Sequence, residues 1–273
     1  MKYLTLDEIH AEERNMLKIV IDFFEKNNIV YYICGGTMLG AVRHKGFIPW
    51  DDDIDLFLPR PEFEKFERCA EKSNFYLAEN IKLLAYDMGS MDVPFAKVEN
   101  TQLKLSKDCL ETNTQPYLWV DIFPMDGLPE SDKETEKLYK KVIKLRRLFL
   151  ALNANSLYLD NYSTSRAKKI LKKILRVFAN KKIKERVANK LDKLSKTYSY
   201  NDSKYVGCIV WGYGPCEKLL KSDVNSKEFE FEGLKVNGLE CYDKYLSNLY
   251  GDYMKLPPVE KRKSHNLKVY REN

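Results

Sequence analysis

Residues 35 to 60, GGTMLGAVRHKGFIPWDDDIDLFLPR, hold a Gly-Gly pair, a basic cluster and four aspartates ahead of an apolar run. Alternation on a strand would send Asp51, Asp53 and Asp55 to one face and Asp52, Ile54 and Leu56 to the other. Three carboxylates on one side raise each other's pKa, and a multivalent cation is the usual relief. Hard oxygen donors suit Mg2+ or Mn2+ rather than zinc. Asp121, in the stretch WVDIF, is an isolated acid between apolar residues and also needs a partner. If its strand neighbours that of Asp55, Asp121 completes the metal cage. The competing reading is a solvated acidic turn before an edge strand. Against it stand the apolar residues interleaved with the acids, Ile54, Leu56, Phe57 and Leu58, and the glycines ending a strand 18 residues before Asp53.

A Gly-Gly turn lets backbone N–H groups approach a phosphate while a metal neutralises its other oxygens. Gly35, Gly36 and Thr37 are therefore candidate substrate contacts. Arg43, His44 and Lys45 have two readings: a surface network with the neighbouring aspartates, or contacts to substrate phosphates with Arg43 supplying a fork of donors. Lys97 in PFAKVEN is either a phosphate contact or a surface lysine on a sheet edge. Trp50 is expected to pack in the core beneath its loop. Near the C-terminus, Tyr250, Asp252, Arg262 and His265 are candidate acceptor or nucleotide contacts, or members of an ordinary packed tail.

The elements that would position these residues follow from periodicity and punctuation. A T-x-x-E capping box at Thr5 and Glu8 starts a helix that runs to about Glu25. The run 29–34 reads as a buried strand, Thr37 begins a short helix, and DDDIDLFLP is a second strand that Pro59 and Pro61 end before a helix through about Lys72. Further strands are expected around Phe95 to Val98 and from Tyr117 to Met125. Helical stripes follow at Leu138, Val142, Leu145, Phe149 and Leu152, at Ala167 to Phe178, and at Ile183, Val187, Leu191 and Leu194. A last helix spans about 242–250. This divides the chain into a mixed-sheet core over 1–132, a basic helical module over 133–200, and a C-terminal section over 201–273 that packs on the core.

Composition bounds the partners. With 44% hydrophobic residues the 273-residue chain can bury a substantial core. Six cysteines without a C-x-x-C pair argue for free thiols in a reducing compartment. The N-terminus lacks a secretory apolar run and no window is long and apolar enough to span a bilayer, so a cytoplasmic location is expected. The net charge of +6 hides an asymmetry: 20 Lys and Arg against 5 Asp and Glu between Lys133 and Lys196, and 26 against 35 elsewhere. A basic segment meets anionic partners. Few aromatics interleave its lysines, which argues against nucleic acid; an anionic membrane face fits better, and helices packed on the sheet with their lysines in water are a plainer reading than either.

GGTMLGAVRHKGFIPWDDDIDL, followed by WVDIFPMDGLP and YGDYMKLPP, strongly resembles the LicD-type phosphocholine transferase family, to which fukutin-related proteins are akin. The motifs come in family order and span about residues 1–265. The resemblance implies an α+β, nucleotidyltransferase-like mixed sheet flanked by helices, here with a basic helical insertion. It places the Gly-Gly turn at Gly35 and Gly36, the D-x-D at Asp53 and Asp55 and the later strand acid at Asp121. By the same resemblance the reaction is Mg2+-dependent transfer of phosphocholine, or a similar phospho-alcohol, from a CDP-activated donor to a sugar hydroxyl of teichoic acid or lipopolysaccharide, releasing CMP. Asp53 and Asp55 would hold the cation, and Asp121 would ligate a metal near the incoming hydroxyl. A lipid-linked acceptor would put the protein at the inner face of the membrane. Two alternatives remain open from the residues alone: a nucleotidyltransferase moving NMP from an NTP, and a non-enzymatic basic module that binds nucleic acid or membrane.

Overall fold

The capping box at Thr5 forms as its spacing implies. The Thr5 N–H donates to the Glu8 carboxylate at 2.7 Å, and the Glu8 N–H donates to Thr5 Oγ1 at 3.3 Å. Helix α1 (Leu6–Lys26) then buries Ile9, Met16, Leu17, Val20 and Phe24 at helical spacing. It lies against the sheet at β3, β5 and β6. The computed structural model describes residues 2–87, 89–109, 116–153, 180–262 and 264–271.

Among these residues are six α-helices and eleven strands, an α+β fold built on a mixed sheet. The strands are β1 (Tyr32–Ile33), β2 (Asp55–Pro59), β3 (Tyr76–Ala78), β4 (Ile81–Ala85), β5 (Ala96–Leu105), β6 (Tyr117–Leu128), β7 (Tyr205–Gly207), β8 (Leu219–Leu220), β9 (Ser226–Phe231), β10 (Leu234–Leu239) and β11 (Val269–Arg271). Their order is β3-β4-β5-β6-β2-β1-β10-β9, with β7 and β11 pairing on to β6 and β5. Strands β2 and β6 run parallel and adjacent, and β1 joins β10 in parallel, so strands after residue 201 complete the sheet begun before residue 132.

Helices α2 (Gly35–His44) and α3 (Arg60–Glu71) flank β2. Pro61 sits in the first turn of α3, where its missing N–H costs nothing, and Arg60 reaches back to Asp126 on β6. The basic pair α4 (Asp132–Asn153) and α5 (Lys181–Ser195) packs together through stripes that bury Leu138, Val142, Phe149, Val187 and Leu191. The stripe expected at Ala167 to Phe178 lies outside the described residues. Helix α6 (Tyr242–Tyr250) matches the expected 242–250.

Several boundaries move. The Gly-Gly pair is the first turn of α2 rather than a turn before it, with Cys34 at the N-cap and Gly35 at φ +53°. Only Tyr32 and Ile33 of the expected 29–34 strand pair. The ladder of the aspartate strand begins at Asp55, so Asp51 to Asp53 form its approach. All six cysteines are free, and no described helix is long and apolar enough to cross a membrane.

Candidate active site

Sheet register brings the acids together. Asp55 is the Cα partner of Asp121 in the parallel β2–β6 pair, and Lys97 on β5 is the partner of Asp121 on its other side. The expected alternation holds over the approach: Asp51, Asp53 and Asp55 are partly exposed, while Asp52, Ile54 and Leu56 are buried. Asp51, Asp53, Asp55 and Asp121 line one cavity of about 1000 Å³, together with Gly35, Gly36, Arg43 and Lys97.

The glycines at the cavity wall leave little room for a side chain. A Cβ on Gly36 would stand 2.6 Å from Asp51 Oδ2, and one on Gly35 2.9 Å from Asp55 Oδ2. The carboxylates thus lie against the opening turn of α2, where the Gly35 N–H donates to the Tyr245 hydroxyl at 3.0 Å.

Burial pushes the Asp53 carboxyl up to about 7, with the nearby charges of Asp51 and Asp121 adding to it. Asp55 rises well above its ordinary range, first from burial and then from Asp53 and Asp121. Lys97 Nζ lies 3.0 Å from Asp121 Oδ1, an ion pair that lacks hydrogen-bond geometry and leaves that buried oxygen without a hydrogen-bond partner. The other oxygen, Oδ2, accepts from Trp119 Nε1 at 2.9 Å. Lys97 also lies over the Trp119 ring, 3.7 Å from its centroid, and is buried on an interior strand. The sheet-edge surface reading of Lys97 is therefore corrected.

This donor set fits a hard divalent cation: carboxylate oxygens crowded against one another, one of them a buried orphan. The oxygens of Asp53, Asp55 and Asp121 do not all converge within 4.8 Å, whereas Asp51, Asp52 and His265 offer ligand atoms that do. That second group is already spoken for. Asp52 accepts from the His265 N–H, His265 Nδ1, Ser264 Oγ and the Leu267 N–H at 2.9–3.0 Å, clasping the C-terminal segment to the cavity wall. Burial opposes the Asp52 charge, yet these bonds hold its carboxyl below the ordinary value.

Other candidates sit differently. Thr37 is buried and accepts from the Asp55 N–H at 2.8 Å, which positions the strand rather than a substrate. His44 accepts from Arg43 Nε at 2.9 Å and does not line the cavity. Arg43 also donates to the Tyr253 carbonyl, and Lys45 pairs with Glu230 at 3.6 Å, so the expected network with the aspartates is absent among the described residues. Trp50 is half-buried: it packs against the core as expected and also lines the cavity, and Arg262 lies 4.6 Å from its ring centroid. Tyr250, Asp252 and His265 line the cavity as well.

Sequence reasoning missed Glu13, Arg146, Trp211, Tyr213 and Glu217. Glu13 on α1 is fully buried with both oxygens unpartnered; burial first, and then Asp53 and Asp52, push its carboxyl far up. The other four line the cavity from α4 and the segment after β7. The aromatic, glycine-rich WGYGP stretch was the one sequence signal available for them.

Residues 28–142 match the family model described as LicD/FKTN/FKRP, nucleotidyltransferase domain. The lipopolysaccharide cholinephosphotransferase LicD of Haemophilus influenzae is 32% identical over 98% of both chains. The chain belongs to the LicD family. Its mixed sheet is the nucleotidyltransferase-like fold that the LicD domain carries. A shorter likeness, 42% identity over 43 residues, links it to ribitol 5-phosphate transferase FKRP of Homo sapiens, covering 16% of this chain and 9% of that one. Family membership makes the chain a transferase.

Proposed function

We propose that the protein moves phosphocholine, or a closely similar phospho-alcohol, from a CDP-activated donor to a sugar hydroxyl of a cell-surface glycan precursor and releases CMP. The observation that carries this reading is Asp55 opposite Asp121 in a cavity they share with Lys97 and the first turn of α2. Asp53, Asp55 and Asp121 would hold Mg2+ or Mn2+, which when bound supplies charge neutralisation for diphosphate oxygens. The α2 turn and Lys97 orient the donor phosphates, and Arg43 at the wall adds a guanidinium fork. A carboxylate of the cluster accepts the proton of the incoming hydroxyl as its oxygen bonds to phosphorus. The bond from phosphorus to the CMP oxygen breaks, and CMP leaves with that electron pair. Positioning and electrostatics provide most of the acceleration in such a displacement.

The acceptor is a teichoic acid or lipopolysaccharide sugar, and a lipid-linked precursor would bring the protein to the inner membrane face, where the basic helices meet anionic lipid. Calorimetry with magnesium tests the donor: CDP-choline is expected to bind in the micromolar range, and ATP and CTP far more weakly. Preferential binding of ATP or CTP would reject the reading in favour of nucleotidyl transfer.

A further inference from the structure

The C-terminal rim of the cavity has two unlike sides. Tyr253, Lys255, Pro257 and Lys261 line the cavity, whereas Met254, Leu256 and Val259, set between them in sequence, do not. Those three are 56%, 48% and 72% exposed. Tyr213 and Tyr250, also at the cavity wall, are 70% and 37% exposed, so five of the nine exposed large hydrophobic side chains among the described residues gather at this rim. The segment that carries most of them is tied down. Arg43 donates to the Tyr253 carbonyl at 2.9 Å, the Tyr253 hydroxyl donates to Asp243 at 2.7 Å, and Arg262 donates to the Pro257 carbonyl at 3.2 Å. Two tight turns add to this: the Lys255 N–H meets the Asp252 carbonyl and the Arg262 N–H meets the Val259 carbonyl, each at 3.1 Å. Polar bonds thus hold the chain in a shape that leaves its apolar side chains in water, which is unfavourable for the free protein.

We propose that this rim is a docking surface for a lipid bilayer, which Met254, Leu256 and Val259 enter with the cavity mouth turned to the headgroups; the inference rests on the reading of a lipid-linked acceptor above. Two observations select lipid over a protein partner. The five side chains expose on the order of a few hundred Å² in total, short of the ~800 Å² per partner that a stable protein interface buries. Separate apolar side chains on an irregular segment also offer no continuous face for a protein to pack on, yet each gains independently on leaving water for the acyl boundary. The flanking groups suit the headgroup layer. Lys255 and Lys261 are exposed and Arg262 is half-buried, and these cations outnumber Asp252 and Glu260, a balance that favours lipid phosphates. Tyr213 and Tyr250 each present an apolar ring with a polar tip, the side-chain type that sits where hydrocarbon meets water. A rim seated in this way brings the sugar of a lipid-linked acceptor to the cavity while its lipid stays in the leaflet.

The test is co-sedimentation with vesicles of phosphatidylcholine and phosphatidylglycerol at ~0.1 M and ~1 M salt, beside CMP release from CDP-choline with a water-soluble sugar acceptor. Wild type should bind at both salt levels, because apolar insertion survives screening. The triple variant Met254→Ser, Leu256→Ser, Val259→Ser should bind about 30-fold more weakly at high salt, and Val259→Trp more tightly than wild type. CMP release with the soluble acceptor should match wild type in both, since none of the three residues lines the cavity. Charge reversal on α5, in Lys182→Glu with Lys190→Glu, should weaken binding at low salt alone. Wild type that fails to sediment at high salt, or a triple variant that binds as wild type does, overturns the proposal. A dimer by light scattering that the triple variant loses assigns the patch to a second copy of the chain and overturns it equally. Failure of every CDP donor to yield CMP counts against the transfer reading alone, because sedimentation reads the rim without it.

Discussion

Asp55 and Asp121 face each other across neighbouring parallel strands, and only Asp121 has a cation beside it, Lys97 at 3.0 Å. The asymmetry gives the two acids opposite effects on stability. Asp55→Asn removes a carboxyl crowded by Asp53 and Asp121 and should raise the melting temperature of the metal-free protein by about 2–4 °C. Asp121→Asn strands the buried Lys97 ammonium and should lower it. Both substitutions should cut transfer by about 10³-fold, following the loss of electrostatic stabilisation. Thermal melts and CMP release on the same samples check the pair.

Gly36 can be tested without touching an acid. In Gly36→Ala the new methyl meets Asp51 Oδ2 at 2.6 Å and must displace that carboxylate or open the first turn of α2. Transfer should fall at least about tenfold, since small misplacement is costly in positioning-driven catalysis. A circular dichroism spectrum like the wild type would locate the damage in the site.

The buried pair Arg60–Asp126 ties α3 to β6 through bonds of 2.7 and 2.8 Å. Asp126→Ala leaves the guanidinium uncompensated and should cost about 3–5 kcal/mol in urea unfolding. Arg60→Met with Asp126→Leu should recover most of that loss, because neither charge then remains to be desolvated.

The clasp between Asp52 and His265 gives a pH signature. The hydrogen bond to Asp52 raises His265 to about 9, against the desolvation of the ring. The folded state thus holds this proton more tightly than the unfolded chain, and the stabilisation is full below about pH 6.5 and lost as pH rises through 9. Its size is limited by solvent screening, since the His265 side chain is 58% exposed. The raised Asp53 acts in the same direction over pH 4 to 7. Metal-free protein should therefore lose stability steadily from about pH 5 to 9, and His265→Ala should flatten the upper part of that slope.

Local signals explain what was legible in the sequence. Capping at Thr5, alternation over Asp51 to Leu56, and the apolar spacing of α4 and α5 are short-range patterns that the packed structure keeps. The hairpin β9–β10 was overlooked although Glu232-Gly233, both at positive φ, joins alternating runs in KEFEFEGLKV. Long-range features had no such pattern. The bonds that hold the Asp52 carboxylate come from residues 264–267, more than 200 positions later. Arg146 and Glu217 meet the cavity only because α4 and the segment after β7 fold against the sheet. Thr37 read as a phosphate contact because it follows two glycines, but its side chain is buried away from the cavity and its oxygen accepts from the Asp55 N–H.

The central claim is tested most directly by identifying the small product made from a CDP-linked alcohol. With CDP-choline, magnesium and a glycan acceptor, the wild type should release CMP in step with labelled glycan, and chelation of the metal should stop both. Pyrophosphate formed from CTP or ATP, with no CMP from any CDP donor, would contradict the account.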